Sequence, residues 1–325
     1  MFPWADGGNL RDFWKRENPN SLLPEISHPG LFLWVLQQMY GLAQGLEALH
    51  NYGNKQFGRH GDLKPENILL FKDLPVKTLG TLRIADVGLA KFHDVATSGR
   101  EDNTRTARGT RMYEPPETEI TDGPRSRKYD IWSIGCIFLE FIVWLLYSNE
   151  GVEDFRIMRE GYSFYVISEV TGNYEPSKAQ IHPEVSRWIK NISDDPRCKE
   201  AIAFRHLLTL IRTRLLKVRV SDRAEATELR EELGIIVNEA ECNPPNRGHL
   251  YPPFERKVFP ESPSYLSLKI EDNVRIPLQR ELAYYIVDLV FSPLQRVSKA
   301  VQVGHSLTAA NSVWFIDIGG KWSYL

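Results

Sequence analysis

A short segment near the start of the chain carries side chains whose types and spacing suit phosphoryl transfer. Asp62 and Asn67 lie five residues apart, Lys64 lies between them, and Asp86 follows the next apolar run. Phosphoryl transfer mainly needs positioning and charge neutralisation. One carboxylate orients the acceptor hydroxyl, and an amide oxygen and a second carboxylate hold Mg²⁺, which prefers oxygen ligands. A lysine beside the first carboxylate offsets charge on the transferred group.

Short apolar runs are expected to position these side chains. Residues 66–71 and 81–85 are bounded by turn residues and predict two strands. Asn67 then lies at the start of the first strand, and Asp86 directly follows the second. Residues 86–127 are rich in Gly, Thr, Arg and Asp and predict a long functional loop.

Apolar residues at helical spacing predict the helices. We expect them at residues 9–18 with Asn9 as a candidate N-cap, 30–52, 129–147, 184–193, 198–218 and 224–233, the last ending at Gly234. The most apolar stretch, Ile131 to Tyr147, is short for a membrane span and contains Glu140. It therefore predicts a helix buried on all sides in the core.

The composition is that of an ordinary globular protein. The 325 residues are 42% hydrophobic, and 40 Lys and Arg balance 42 Asp and Glu, so no global field attracts nucleic acid or anionic membrane. The basic stretch 205–219 alternates with leucines, which favours an amphipathic helix with a solvated face. Three distant cysteines predict neither a metal site nor a disulfide framework. We expect an intracellular protein, cytoplasmic or nuclear, without nucleic-acid or membrane partners.

Several motifs occur in the order found in Ser/Thr-type protein kinases, and the chain is identified by resemblance as a member of that family. Residues 60–67 resemble the catalytic loop H-R-D-x-x-x-x-N, residues 86–88 resemble D-F-G, and Pro116-Glu117 resembles the end of A-P-E. Residues 129–135 resemble the start of the buried C-lobe helix. Arg223 resembles the late C-lobe arginine that pairs with the A-P-E glutamate.

The resemblance implies an α+β family fold, of which this chain holds the mainly α-helical C-lobe. It implies transfer of the ATP γ-phosphoryl group to Ser or Thr of a protein substrate, with Mg²⁺. The resemblance implies that Asp62 is the catalytic base, that Lys64 neutralises the phosphoryl group, and that Asn67 and Asp86 are magnesium ligands. It implies that Thr110 faces the substrate and that Leu69 and the backbone of Pro3 and Ala5 lie at the adenine. It also implies that Glu117 and Arg223 form a structural ion pair and that Asp130 braces the catalytic loop.

Two departures from the family pattern bear on activity. Gly61 replaces the arginine that in the family receives a phosphate on the activation segment, where Thr104 and Thr106 lie, although Lys91 supplies one charge. We expect Gly61→Arg to change little without that phosphate. No glycine-rich loop or V-A-I-K-type lysine precedes residue 60, so we expect a C-lobe that begins at the hinge. On its own, such a C-lobe is expected to bind ATP weakly and to have little or no kinase activity.

Two alternatives stay open beside the kinase. The missing N-lobe motifs favour a catalytically silent kinase-like interaction module, or pseudokinase. His-Gly-Asp with Asn five residues later also occurs in aminoglycoside- and choline-type small-molecule phosphotransferases. Lys64-Pro65-Glu66 and the G-T-x-x-Y stretch at residues 109–113 favour the protein kinase.

Domain boundaries follow from a change in composition. Residues 1–240 form the kinase-like domain, and six prolines between Pro244 and Pro263 mark a linker at 241–263. Residues 264–325 form a small tail of unknown role, with a predicted helix at 278–290 and a predicted strand at 312–318.

Overall fold

The chain divides into two units. A computed structural model describes residues 5–22, 28–51, 57–72, 79–86, 91–93, 111–120, 125–159, 163–167, 179–199, 201–242, 314–316 and 322–324. One unit comprises Met1–Glu255 with Ser312–Leu325, and the other comprises Arg256–Asn311. All described residues belong to the first unit, so the helix predicted at 278–290 lies outside them.

The described residues are mainly helical, as predicted. The helices are α1 Leu10–Arg16, α2 His28–His50, α3 Glu117–Ile120, α4 Lys128–Met158, α5 Pro183–Asp194, α6 Pro196–Lys199, α7 Ile202–Leu210 and α8 Ala226–Cys242. Single turns of 3₁₀ helix occur at Pro65–Asn67, Arg111–Tyr113 and Val220–Asp222, and a π-helical turn occurs at Ile211–Leu215.

The strands pair only in antiparallel ribbons within the part of the chain that the structure describes. These ribbons are β1 Phe57–Arg59 with β4 Lys91–His93, β2 Ile68–Phe71 with β3 Thr81–Ile84, β5 Tyr165–Ile167 with β6 Ala179–Ile181, and β7 Trp314–Ile316 with β8 Trp322–Tyr324. The two strands expected near the site are confirmed as β2 and β3, although Pro65–Asn67 forms the 3₁₀ turn before β2. The strand expected at 312–318 is confirmed as β7.

Helix α4 is the centre of the core. Its residues 129–146 are buried on every face, as expected for a helix that is apolar all round. It is long and apolar enough to cross a membrane, but 89% of its most apolar window lies inside the protein. Phe13 and Phe141 pack on the ring of Trp144, with centroids 5.2 and 5.7 Å away. The predicted buried core helix is confirmed.

The chain direction of α4 changes where the sequence predicts its end. Ser148 has φ 60° and ψ −168°, which breaks the helix one residue after Tyr147. A second helical stretch then continues to Met158. The predicted end at residue 147 therefore marks a kink, and burial of Val152 and Phe155 explains why the chain stays helical beyond it.

The prediction that the last helix ends at Gly234 is wrong, because α8 continues to Cys242. A Cβ at Gly234 would lie 3.4 Å from Tyr40 Cε2 of α2, so the glycine lies in the contact between the two helices. A glycine inside a helix costs about 1 kcal/mol relative to alanine. Burial of Leu233 and Ile236 on either side offsets this cost.

The basic stretch 205–219 confirms the expected solvated face, although it does not form one helix. Its leucines at 207 and 208 are buried, whereas Arg205 and Arg212 are exposed. Arg214 donates to both carboxylate oxygens of Glu228 at 2.7 Å. These arginines therefore lie on the solvent side of a core element.

We expect Gly135→Ala to destabilise the protein, because a Cβ there would lie only 2.8 Å from Leu215 Cβ. Overpacking of this kind costs about 1–3 kcal/mol. Gly234→Ala is the matched control, since its Cβ meets Tyr40 at ordinary contact distance and alanine favours the helix. Urea denaturation of both variants measures the difference, and equal stabilities would contradict the assigned close approach of α4 to the π-helical turn.

Candidate functional site

Asp130 organises the backbone of the candidate catalytic loop. This fully buried carboxylate accepts hydrogen bonds from the amides of His60 at 2.8 Å and Gly61 at 2.9 Å, and from His50 Nε2 at 2.9 Å. Burial alone would raise the pKa of Asp130, but the His50 hydrogen bond, the electrostatic interactions with His50 and His60 and the Gly61 amide together lower it below its ordinary value. The carboxylate is therefore held ionised, in the bracing position expected from the sequence.

His60 joins this loop to the end of β3. Its Nδ1 accepts from the Asp62 amide at 3.3 Å, which leaves Nε2 to donate to the Ala85 carbonyl at 2.9 Å. The ring is fully buried, and this tautomer satisfies both nitrogens. Asp62 and Asp86 are thereby held on adjacent stretches of backbone.

Three of the expected functional side chains meet directly. Lys64 Nζ lies 2.9 Å from Asp62 Oδ2. The Asn67 amide nitrogen donates to the Asp62 carbonyl at 2.8 Å and to Asp62 Oδ2 at 3.2 Å. The carboxylate of Asp62 is therefore oriented from two sides and pairs with a cation.

The described residues contain oxygen ligands that suit a magnesium ion. Because Asn67 uses its amide nitrogen on Asp62, its amide oxygen is the atom left for a metal. The Asn67 carbonyl accepts from the Ala85 amide at 2.9 Å, and Ala85 directly precedes the exposed Asp86. Asp86 has φ 59°, a left-handed conformation that aspartate tolerates. An amide oxygen and a carboxylate on neighbouring strand ends fit a hard cation.

The segment around Ala5 runs beside β2. Gly7 donates to the Leu70 carbonyl at 3.1 Å, and Leu70 donates to the Gly8 carbonyl at 2.8 Å. Ala5 and Leu69 are both half-buried, on the two segments that these bonds join. Pro3 and Thr110 lie outside the described residues, as do Val87, Thr104 and Thr106.

The expectation that Gly61→Arg changes phosphoryl transfer little stays a prediction, but the structure shows a backbone cost of that substitution. Gly61 has φ 79°, a conformation that favours glycine and strains other side chains by about 1 kcal/mol or more. A Cβ there would lie 3.6 Å from Arg59 Nε, so a cation already lies beside this position. Lys91, the other expected positive charge, is the register partner of Arg59 in β4.

The expected pair of Glu117 and Arg223 is formed. Arg223 donates from both terminal nitrogens to the two oxygens of Glu117 at 2.7 Å. Its guanidinium is fully buried and also donates to the carbonyls of Lys217, Val218 and Lys128. This arrangement joins α3 to the segment before α8.

Sequence reasoning missed a buried charged cluster below the site. Glu140, in the middle of the buried stretch of α4, contacts Arg11, Tyr113 and Arg159. The signal in the sequence was a glutamate inside an apolar helix. That signal did not identify the partners, since they lie far away along the chain.

Comparisons with known proteins agree with this geometry. The family model of the protein kinase domain matches residues 17–232. A mitogen-activated protein kinase mpkC of Aspergillus terreus is 30% identical over 195 residues, which are 60% of this chain and 43% of that protein. Mitogen-activated protein kinase HOG1 of Scheffersomyces stipitis is 31% identical over 137 residues, 42% of this chain and 29% of that protein.

A third relative belongs to a differently named group of kinases. This serine/threonine-protein kinase of Debaryomyces hansenii is 35% identical over 131 residues, which are 38% of this chain and 19% of that protein. The aligned regions thus span less than half the length of each of these three relatives.

Proposed function

This chain belongs to the protein kinase family, and from that premise we propose that it transfers the ATP γ-phosphoryl group to Ser or Thr of a protein substrate. The observation that carries the proposal is the contact of Asp62 with Lys64 and Asn67 on a loop braced by Asp130. The name of the serine/threonine-protein kinase of Debaryomyces hansenii supports the Ser/Thr type. The Lys64-Pro65-Glu66 sequence supports it as well.

Asp62 is the proposed catalytic base. Lys64 and Asn67 both contact its Oδ2, which leaves Oδ1 to accept the proton of the substrate hydroxyl as its oxygen attacks the γ-phosphorus. Lys64 offsets negative charge beside the transferred group. Because Lys64 and Asn67 fix the carboxylate before the substrate arrives, little reorganisation is needed at the moment of reaction.

Asn67 and Asp86 are the proposed magnesium ligands. A bound magnesium ion neutralises the phosphate oxygens. The hydrogen bond of Asn67 to Asp62 keeps the amide oxygen turned away from the base, so the two side chains serve different partners.

The remaining assignments concern the surroundings of this centre. We propose Leu69 and the backbone of Pro3 and Ala5 as adenine contacts, supported by the bonds that join residues 7 and 8 to Leu70. Thr110 is proposed to face the substrate, three residues before the buried Tyr113. We also propose that the protein is intracellular. The proposed domain boundaries are a kinase-like domain at 1–240, a linker at 241–263 and a small tail at 264–325.

Calorimetry with magnesium and ATP tests the assignment of roles. Asp86→Asn should weaken magnesium-dependent ATP binding by about tenfold or more, since one charged ligand is lost. Asp62→Asn should leave that binding nearly unchanged, because Asp62 is not a proposed magnesium ligand. Among the described residues, its one contact with such a ligand is the hydrogen bond from Asn67. The same variant should abolish transfer to a protein substrate, because the proposed catalytic base is lost.

The alternatives give different results in the same assays. Phosphorylation of an amino sugar or choline with no transfer to protein would favour the small-molecule phosphotransferase. Absence of ATP binding with and without magnesium would favour the silent module. Unchanged protein phosphorylation by Asp62→Asn would show that the catalytic base is wrongly assigned.

A further inference from the structure

A cluster of charged side chains is buried beneath the candidate catalytic loop. We call it the Glu140 cluster and define it as Glu140, Arg11, Tyr113 and Arg159. Glu140 and Arg159 are fully buried, Arg11 is 8% exposed and Tyr113 is 2% exposed. Buried charges are costly unless they are paired and hydrogen-bonded, so the cluster requires a structural reason.

The two oxygens of Glu140 serve different partners. Oε2 accepts from the Tyr113 hydroxyl at 2.7 Å and from Arg11 Nη2 at 3.4 Å. Oε1 accepts from Arg159 Nη2 at 3.1 Å, and the Arg159 guanidinium stacks on Phe155 and Phe164. Burial, together with the Glu140 charge, raises the pKa of Tyr113 well above its ordinary value, so the hydroxyl stays a donor.

Arg11 extends beyond the cluster to the catalytic loop. Its Nε lies 3.2 Å from Glu66 Oε1, whereas its Nη2 contacts the Tyr113 hydroxyl and Glu140. Glu66 lies between Pro65 and Asn67 in the 3₁₀ turn of the loop. One planar guanidinium therefore contacts both the loop that carries the proposed metal ligand and the cluster below it.

Tyr113 is fixed at both its backbone and its side chain. Ser133 Oγ donates to the Tyr113 carbonyl at 2.8 Å, and the hydroxyl is bound by Glu140. Tyr113 ends the turn Arg111–Tyr113, which directly follows the proposed substrate-facing Thr110. Movement of this turn must therefore disturb the partners of Arg11.

We propose that Arg11 is a positioning residue that couples the turn Arg111–Tyr113 to the catalytic loop through Glu66. Its importance for phosphoryl transfer rests on the proposed function, but the coupling itself does not. The contact of Arg11 with Glu140 is strong because water is excluded there, whereas its contact with Glu66 is partly screened, since the Glu66 side chain is 42% exposed. Such coupling is reciprocal, so a change at either end must be detectable at the other.

Amide hydrogen exchange on the full chain tests the coupling without any need for activity. Tyr113→Phe removes one hydroxyl and should speed exchange of the Asn67 amide, which donates to the Lys64 carbonyl, by about tenfold. Tyr165→Phe is the matched control, because it removes a hydroxyl bonded to Glu119 outside the cluster. It should leave the Asn67 amide unchanged.

Glu66→Gln tests the reverse direction and leaves the buried core intact. It should speed exchange of the Thr118 and Glu119 amides, which follow the turn and bond to Pro115 and Pro116. The matched control is Glu228→Gln. Glu228 also pairs with an arginine, Arg214, and its side chain is 37% exposed, close to the 42% of Glu66. If Tyr113→Phe and Glu66→Gln each change exchange only near the mutated residue, the coupling is refuted.

A lysine variant separates positioning from simple charge neutralisation. Arg11→Lys retains the positive charge beside Glu140, but an ammonium cannot span Glu66 and Tyr113 as the guanidinium fork does. We expect Arg11→Met to lose stability and to speed exchange of the Asn67 amide. Arg11→Lys should recover most of that stability, but its Asn67 amide should still exchange fast. Recovery of slow exchange in Arg11→Lys would show that Arg11 only neutralises charge.

Discussion

Arg223→Ala should lower the free energy of unfolding by about 3–5 kcal/mol, because removing one member of a buried ion pair leaves the other charge uncompensated. The guanidinium of Arg223 is fully buried, and it donates to both oxygens of Glu117 at 2.7 Å. Three backbone carbonyls also lose their donor in this variant. The loss of packing on Trp132, whose ring centroid lies 5.1 Å from the guanidinium carbon, adds to the cost.

Glu117→Ala should be the milder of the two variants. Glu117 is 17% exposed at its side chain, and Arg223 keeps its carbonyl partners when the carboxylate is removed. The effects of the two single substitutions should not add in the double mutant, since each removes the same interaction. Urea denaturation of the two single variants and the double mutant measures this coupling.

The exposed pair of Arg214 and Glu228 is the control for this prediction. This pair is also bidentate, but the side chain of Arg214 is 42% exposed and that of Glu228 is 37% exposed. Deleting one partner should cost at most about 1 kcal/mol, because water solvates the remaining charge. Similar losses for both pairs, or additive losses for Glu117 and Arg223, would contradict a buried structural pair.

The order of residues along the chain was sufficient to predict the parts of the site that lie on one loop. Asp62, Lys64 and Asn67 are so close along the chain that a single turn must bring them together, and the structure does so. The pairing of Glu117 with Arg223 across 106 residues came from the family resemblance, not from any local pattern.

The remaining features depend on tertiary contacts that periodicity does not encode. Gly234 predicts a helix end by local propensity, but burial against Tyr40 overrides it. The Glu140 cluster joins Arg11 to Glu140 across 129 residues, so no window of the sequence contains both. Gly61 has φ 79° beside the two amide hydrogen bonds to Asp130, and its residue type permits this conformation but does not predict it.

Asp130→Asn should destabilise the protein at neutral pH by about 3 kcal/mol or more, because an amide cannot accept all three hydrogen bonds that the carboxylate accepts. If its oxygen accepts from Gly61, its NH₂ group faces the His60 amide and His50 Nε2, which then lose their acceptor. Each unsatisfied buried donor costs about 1–3 kcal/mol. The backbone of the catalytic loop should loosen as a result.

The difference between the wild type and Asp130→Asn should depend on pH in a defined direction. The pKa of Asp130 is lowered below 3.8 in the folded protein, so ionised Asp130 adds stability at pH values above about 4. That contribution is lost as the pH falls through the lowered folded-state pKa, because protonated Asp130 then resembles asparagine. Urea denaturation at pH 7, 5 and 3.5 should therefore show the same wild-type advantage at pH 7 and pH 5, and an advantage that has begun to shrink at pH 3.5. Asp12→Asn, a change at an exposed carboxylate, is the control and should cost little at any of these pH values. A wild-type advantage that is the same at pH 3.5 and pH 7 would show that the Asp130 charge does not brace the loop.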